Sequence, residues 1–196
     1  MVALDFFRRS RGPEGVAAIF YHHGTQAETA ALYMLRHYTD KYGITLLDDR
    51  LTNPKPADLS LEEHWRNERY AFIDQVLNAQ SRDPDAKCVT AHTLDDCVET
   101  YIWSALHGTP KVIPYTRGEN VVRPFLTTRK CDLYRWAHRH DVPYHEDPSN
   151  KDLRHMRNYV RHELMPHALQ VNPGLYKTVK KIVEHQNTVH LLTDVQ

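Results

Sequence analysis

The sequence predicts an α/β protein: a doubly wound parallel sheet followed by a C-terminal helical extension. Short strand-like runs, Val16–Tyr21 (VAAIFY), Ile44–Leu47 and Lys87–Ala91 (KCVTA), alternate with helical segments through the first half of the chain. Beyond them, helical periodicity dominates. The continuous apolar run VAAIFY is the pattern of a strand buried on both faces, as parallel strands are.

In chain order, Val2–Arg9 reads as the end of a helix. Arg8 and Arg9 lie in its last turn and Gly12-Pro13 breaks it. After the first strand, Gln26–Tyr42 is a helix with Ala31, Leu32 and Leu35 inward and Gly43 at its stop. Thr52–Leu59 is a Pro-rich loop. Ser60, with Glu63 three residues on, forms a capping box for a long helix carrying Leu61, Trp65, Phe72 and Val76 at core spacing. Leu94–His107 is helical and stops at Gly108. Val121-Val122 is extended before Pro124. Thr127–His140 is a helix with Leu133, Trp136 and Ala137 inward, and Val142–His145 an extended link. Leu153–Leu164 reads as a helix ending before Pro166. Asn172-Pro173 opens the last helix as N-cap and N1, with Leu175, Val179, Ile182 and Val189 inward. Trp65, Trp103 and Trp136 all fall at core-facing positions.

Composition narrows the class. Hydrophobic residues make up 41% and charged residues 26% of 196, which suits a folded globular chain. No apolar run approaches the ~18 residues that span a bilayer. The three scattered cysteines, Cys88, Cys97 and Cys131, fit neither a disulfide framework nor a Cys-x-x-Cys metal site. A cytoplasmic protein without a membrane partner is therefore expected. The net charge is zero but uneven. Residues 1–116 hold 12 basic and 16 acidic side chains, whereas 117–181 hold 13 and 7 with six histidines. That basic stretch is compatible with a polyanionic partner and also with an ordinary solvated face. A phosphate-cradling loop needs glycines after a strand and before a helix. Gly12 and Gly15 precede a strand and Gly24 stands alone, so no such loop is visible.

Ligands of open α/β sheets sit beyond the carboxyl ends of strands. Two strand ends carry polar residues: Tyr21-His22-His23-Gly24, and His92-Thr93-Leu94-Asp95-Asp96-Cys97-Val98-Glu99-Thr100. In the second, Asp95 and Asp96 suit the first turn of a helix that Thr93 caps. Glu99 follows them by four and three residues and so shares their face. The cluster can hold a divalent cation, orient an incoming amine, or act on His92, and it equally suits a helix N-terminus stabilised by acids. Further on, Arg154, Arg157 and Arg161 at i, i+3 and i+7 predict a one-faced cationic row suited to phosphate. The competing reading pairs them with Glu146, Asp147 and Asp152.

These blocks resemble the tRNA(Ile)-lysidine synthetase family, a branch of the N-type ATP pyrophosphatases. His92–Thr100 is similar to its His-x-Leu-Asp-Asp-Gln-x-Glu-Thr block, with Cys97 in place of Gln. Arg123-Pro124-Phe125-Leu126 with Thr128-Arg129 resembles its Arg-Pro-Leu-Leu and Thr/Ser-Arg. Glu146-Asp147-Pro148-Ser149-Asn150-x-Asp152, through Arg157-Asn158 and Arg161-His162 to Pro166, resembles its most distinctive stretch, with His155 where Tyr is usual. Leu59–Glu63 and Arg69-Tyr70-Ala71-Phe72 also fit.

The resemblance implies an adenine nucleotide alpha-hydrolase-like sheet and ATP-dependent ligation of lysine to an anticodon cytidine of tRNA, with ATP and Mg2+ as cofactors. It implies Asp95, Asp96 and Glu99 as catalytic residues and His23, Gly24, His92, Asp95 and Asp96 as the ATP or adenylate contacts. Arg123, Arg154, Arg157, Asn158, Arg161 and His162 would meet phosphate or tRNA. No metal ligands are assigned, Mg2+ entering through ATP. The family's Ser-Gly-Gly-x-Asp-Ser loop does not occur in these residues. His23-Gly24 corresponds to a later His-Gly of the family pattern. The expectation is therefore a catalytic domain over 1–166 lacking its first strand and ATP loop, then a helix over 167–196 leading out of it. A separate N-terminal fragment would supply the loop. The rival expectations are an inactive or split-enzyme fragment that binds tRNA, and a related tRNA thiolase using Cys97.

Overall fold

The computed structural model describes residues 1–80, 83 and 85–193, leaving aside the side chains of 80 and 189–193. Two compact units divide the chain: Met1–Cys88 with Ala137–Asp147, and Val89–Trp136 with Pro148–Gln196.

In the first unit, helix α1 (Val2–Arg11) precedes strand β1 (Ala17–His22), helix α2 (Gln26–Tyr42) and strand β2 (Thr45–Arg50). β1 and β2 pair in parallel, Ala17 opposite Thr45 through His22 opposite Arg50. This is the βαβ connection that the alternating pattern predicts. Thr25 and Glu28 close a reciprocal capping box at the start of α2. At its end Gly43 adopts φ 66°, a left-handed turn that costs a Cβ-free residue little. β1 is less enclosed than its apolar run suggests, since Ala18 alone is buried.

Helix α3 (Leu61–Gln80) starts where Ser60 Oγ accepts the Glu63 N–H at 3.1 Å. Its inward stripe is His64, Tyr70, Phe72, Ile73 and Val76. Leu61, expected inward, is 50% exposed, because the first turn projects past the core. Buried His64 instead ties the Pro-rich loop through Nε2 to the Asn53 carbonyl at 3.2 Å.

Asp5 of α1 is 1% exposed. Its carboxylate accepts from Arg8 at 2.6 Å, Arg9 at 2.8 Å and the Tyr38 hydroxyl of α2 at 2.6 Å. Burial, then the Asp5 hydrogen bond, push the Tyr38 phenol up to about 12.

The second unit contains a small sheet, β3 (Cys88–Val89), β5 (Val121–Val122) and β4 (Thr116–Arg117), in that spatial order. β4 and β5 form an antiparallel hairpin turning at Gly118, φ 56°. β4 has no counterpart in the sequence reading, because two residues are too few for any alternation to register. β3 is likewise shorter than Lys87–Ala91. Helix α4 (Leu94–Leu106) packs on helix α8 (Leu175–Thr193), and Leu94, Cys97, Val98, Val112, Leu126, Leu175, Val179 and Val183 form one core. The described part of 167–196 thus shares its core with α4. Trp103, expected inward, is 41% exposed on the opposite face of α4. Val189's side chain lies outside the described residues.

Helix α5 (Lys130–Arg139) begins three residues later than periodicity predicts, because Phe125 to Thr128 make a turn and the Thr128 carbonyl accepts the Leu94 N–H at 2.9 Å. α8 begins at Leu175 because the Asn172 side chain accepts the Gly174 N–H at 2.9 Å, an Asx turn rather than a helix cap.

The stretch read as a helix over Leu153–Leu164 is different. Pro148–Lys151 is a 3₁₀ turn, and an Asx turn at Asp152 follows. Helix α6 (Met156–Tyr159) then runs through a π turn (Val160–Leu164) into α7 (Met165–Val171). Pro166 does not end the helix. The Met165 N–H bonds the Val160 carbonyl five residues back, and this wider turn accommodates a residue with no N–H to give. No helix among the described residues is long and apolar enough to cross a membrane.

Asp5→Ala strands the Tyr38 hydroxyl and the Arg8 charge in the interior. It is expected to lower unfolding free energy by about 3 kcal/mol in urea titration. A loss under about 1 kcal/mol would show that the α1–α2 contact does not depend on this carboxylate.

Candidate functional site

The site grows from the first turn of α4. Thr93 donates its N–H and its hydroxyl to Asp96 Oδ2, each at 2.7 Å. The Asp96 N–H returns to Thr93 Oγ1 at 3.5 Å, closing a capping box with Asp as its acid. Oδ1 of Asp96, on the other side, meets Arg157 Nη2 at 2.6 Å. One turn on, Glu99 is 3% exposed, deep enough that its charge demands partners. It has two. Arg161 grips it with Nε at 2.6 Å to Oε1 and Nη2 at 3.1 Å to Oε2, and Arg157 Nε adds 3.1 Å to Oε2.

Electrostatics follow this geometry. Burial alone raises the Asp96 pKa, but the Thr93 hydrogen bonds, then Arg157 and His92, outweigh it and hold the carboxyl below its ordinary value. Burial opposes the charged Arg161 guanidinium, yet Glu99 and the neighbouring acids raise its pKa.

The expected cationic row is therefore not a row. Arg154 precedes the helix, is 90% exposed, and forks onto Asp152 at 2.7 to 3.1 Å, which lowers the Asp152 carboxyl to about 2. Arg157 and Arg161 turn instead to α4 carboxylates some sixty positions away in sequence. Their like-charge repulsion is relieved by Asp96 and Glu99.

Asn158 and Arg123 bond backbone carbonyls in this structure. Asn158 is buried and donates to the Ser149 and Asp152 carbonyls at 2.8 and 2.9 Å, so it braces the loop before α6. His162 Nε2 meets the Asn150 carbonyl at 2.8 Å and braces the same loop. Arg123 is 4% exposed and donates Nη1 to the Pro114 and Thr116 carbonyls, which fixes β4 and leaves its guanidinium inside.

Asp95 faces away from Asp96 and Glu99. Its Oδ2 accepts the Lys130 N–H at 2.7 Å, capping α5, and its Oδ1 accepts the Tyr176 hydroxyl at 2.9 Å. Burial, then Asp95, push the Tyr176 phenol well above its ordinary range. Arg129 stacks on the Tyr176 ring at 3.3 Å. Because Asp95 is turned away, the three acids do not converge on a cation. Among the described residues no group of three or more His, Cys, Asp or Glu is placed to hold a metal. His92 contacts Thr90 Oγ1 through Nδ1 at 3.0 Å. Arg129 sits in the Thr128-Arg129 pair and was legible there. Nothing in the sequence ties Tyr176 to Asp95.

In the first unit, His23 and Gly24 follow β1. His23 Nδ1 lies 2.6 Å from Glu28 Oε1, and its ring packs against Trp65 at 5.1 Å and Tyr21 at 5.4 Å. Gly24 holds φ 99° and donates its N–H to His22 Nδ1 at 2.8 Å. Burial raises the Glu28 pKa, but His23 and Thr25 outweigh it and lower it.

An α/β chain with an acid-rich, Thr-capped helix after a strand end defines a class, and comparison places the chain within it. A family model described as PP-loop domain matches residues 1–168, and the chain belongs to that family. It is 34% identical over 186 residues to a tRNA(Ile)-lysidine synthase of Methylococcus capsulatus, covering 87% of this chain and 40% of the relative. With the enzyme of the same name from Thermosipho africanus it shares 30% over 134 residues, 67% of this chain and 31% of the relative. The chain thus spans between three and four tenths of the length of these curated relatives. Among solved structures, the U34-tRNA thiolase NcsA of Methanococcus maripaludis, determined with its [4Fe-4S] cluster, aligns at a TM-score of 0.72 and 14% identity. The alignment covers 94% of this chain and 66% of that one, and the two share a fold.

Asp96 gives a pH signature. Its folded pKa lies below the unfolded value, so its stabilisation is complete above the ordinary carboxylate range and is lost as pH falls through the folded pKa. Asp96→Asn is expected to cost about 1 kcal/mol at pH 7. The gap to wild type should close as pH falls below about 4 in urea titrations. A gap independent of pH would contradict the capping and Arg157 contacts.

Proposed function

We propose that the protein these residues belong to ligates lysine to an anticodon cytidine of tRNA at the expense of ATP, in the cytoplasm, with residues 1–166 in its catalytic part. The observation that carries this reading is the pairing of the α4 carboxylates Asp96 and Glu99 with Arg157 and Arg161, formed wholly from blocks that resemble the lysidine synthetase family. The curated relatives bear the same name.

In this chemistry the cytosine C2 oxygen attacks the α-phosphorus of ATP and pyrophosphate leaves. The lysine ε-amine then attacks C2, and AMP departs with the oxygen. Positioning and charge neutralisation dominate such steps. Mg2+ bound with ATP would supply neutralisation of phosphate charge. The Ser-Gly-Gly-x-Asp-Ser loop comes from a segment outside these 196 residues, contiguous or separate. His23 and Gly24 are assigned to the nucleotide on resemblance alone.

Within the second unit, geometry separates the arginines. Arg157 is 56% exposed and Arg161 20%. If Arg157 swings to a phosphate, Glu99 keeps both Arg161 bonds and Asp96 keeps Thr93. No buried charge is stranded, so Arg157 is the arginine that meets the polyanion and Arg161 the one that frames it. Asp96 or Glu99 would orient the lysine amine, as the resemblance implies. A thiolase mechanism needs a reactive thiolate. Cys97 is 0% exposed and burial pushes its thiol up to about 11, which disfavours that rival.

The test supplies the chain with ATP, Mg2+, lysine, tRNA and a polypeptide bearing the missing loop, and reads nucleosides by mass spectrometry. Lysidine is the expected product, and unmodified cytidine throughout would contradict the reading. Arg157→Ala should weaken tRNA binding and flatten the log–log salt dependence by about 0.9. An unchanged slope would remove Arg157 from the phosphate contacts.

A further inference from the structure

We infer that Arg129, to which no ligand has been assigned above, is a preorganised phosphate-binding fork. The inference rests on the proposed function for the identity of its ligand and on geometry for the rest. Arg154, Arg157 and Arg161 all hydrogen-bond carboxylates through their guanidinium groups. Arg129 is ion-paired to Asp95 without such a bond. Its guanidinium lies flat over the Tyr176 ring at 3.3 Å, and its side chain is 40% exposed. Nε stands 3.5 Å from Asp95 Oδ2 without a hydrogen bond, and this atom is buried. The two Nη atoms take no acceptor among the described residues.

Asp95 cannot close the fork. Its two oxygens already accept the Lys130 N–H and the Tyr176 hydroxyl in short bonds. It holds Arg129 by charge at one edge and leaves the Nη edge free. Tyr176 is the platform: the stack fixes the guanidinium plane, and the bond to Asp95 fixes the ring. An arginine so held has lost most of its rotamer freedom before a ligand arrives, which lowers the entropic cost of binding. A planar guanidinium whose Nη edge points away from Asp95 fits a phosphate bidentately. That phosphate belongs either to the RNA backbone or to the nucleotide.

The two sources separate experimentally. Wild type and Arg129→Ala, each with the polypeptide bearing the missing loop, are titrated with a tRNA transcript by fluorescence anisotropy over a salt series, and with ATP by calorimetry, after matched thermal transitions confirm folding. Loss of the fork is expected to weaken its ligand about tenfold. If that ligand is the RNA backbone, tRNA affinity falls and the salt slope drops by about 0.9 with ATP unchanged. If it is the nucleotide, ATP affinity falls and the tRNA slope holds. Arg129→Lys keeps the charge, so it should retain the slope but not the full affinity. Tyr176→Ala, which removes the platform, should reproduce part of the loss, whereas Tyr176→Phe, which keeps the ring, should lose less. Wild type binding tRNA or ATP with Arg129→Ala matching it on both would overturn the inference. Wild type binding neither would overturn the proposed function itself, and with it the ligand named here.

Discussion

A carboxylate buried at 3% exposure requires compensation, and the second unit is arranged around supplying it. Glu99 sits in α4 amid the apolar contacts of Val98 and Cys97. Left alone there it would cost several kcal/mol, on the order of what a whole domain has to spare. Arg161 satisfies both oxygens and Arg157 reinforces one. Both arginines belong to a stretch with little regular structure of its own, a 3₁₀ turn, one turn of helix and a π turn. The ion pairs hold that stretch against α4, and Asn158 and His162 then brace the preceding loop from the same helix. The π turn carries Arg161 and His162 and also absorbs Pro166. One irregularity thereby serves both the backbone and the side chains. π turns cluster at functional positions for this reason.

What the sequence makes legible is mostly local. Ser60 to Glu63 reads as a helix start because a capping box spans only three residues, and Thr93 reads as a cap for the same local reason. α2 matches its expected bounds because polar signals stand at both ends. Where the reading departs, a distant contact has overridden a local rule. Spacing aligned Arg154, Arg157 and Arg161 on one face, but the Asx turn at Asp152 keeps Arg154 out of the helix. The partners of the other two lie 58 to 62 positions away. Periodicity carries no information about such pairs. Tyr176 falls in the same blind spot, since its link to Asp95 spans 81 positions. Trp103 misled for another reason: helical spacing marks a face, and only the packing of α8 decides which face is covered.

The candidate site was legible as a set of blocks and not as a division of labour. The adjacent acids Asp95 and Asp96 look equivalent in sequence. In the structure one caps α5 and anchors Tyr176, while the other closes its own helix cap and meets Arg157. Arg123 and Asn158, likewise candidates for a ligand, turn inward to backbone carbonyls. Three side chains keep a more outward position: Arg157 with its exposed guanidinium, Arg129 on its aromatic platform, and His92 at the strand end.

Hydrogen exchange with and without tRNA tests that layout most directly. Bound tRNA is expected to slow exchange in the peptides spanning 92–99, 129–130 and 154–162 while leaving the Asp5–Tyr38 region unchanged. Protection spread evenly, or confined to residues outside those segments, would contradict a tRNA site built on the α4 carboxylates and their arginines.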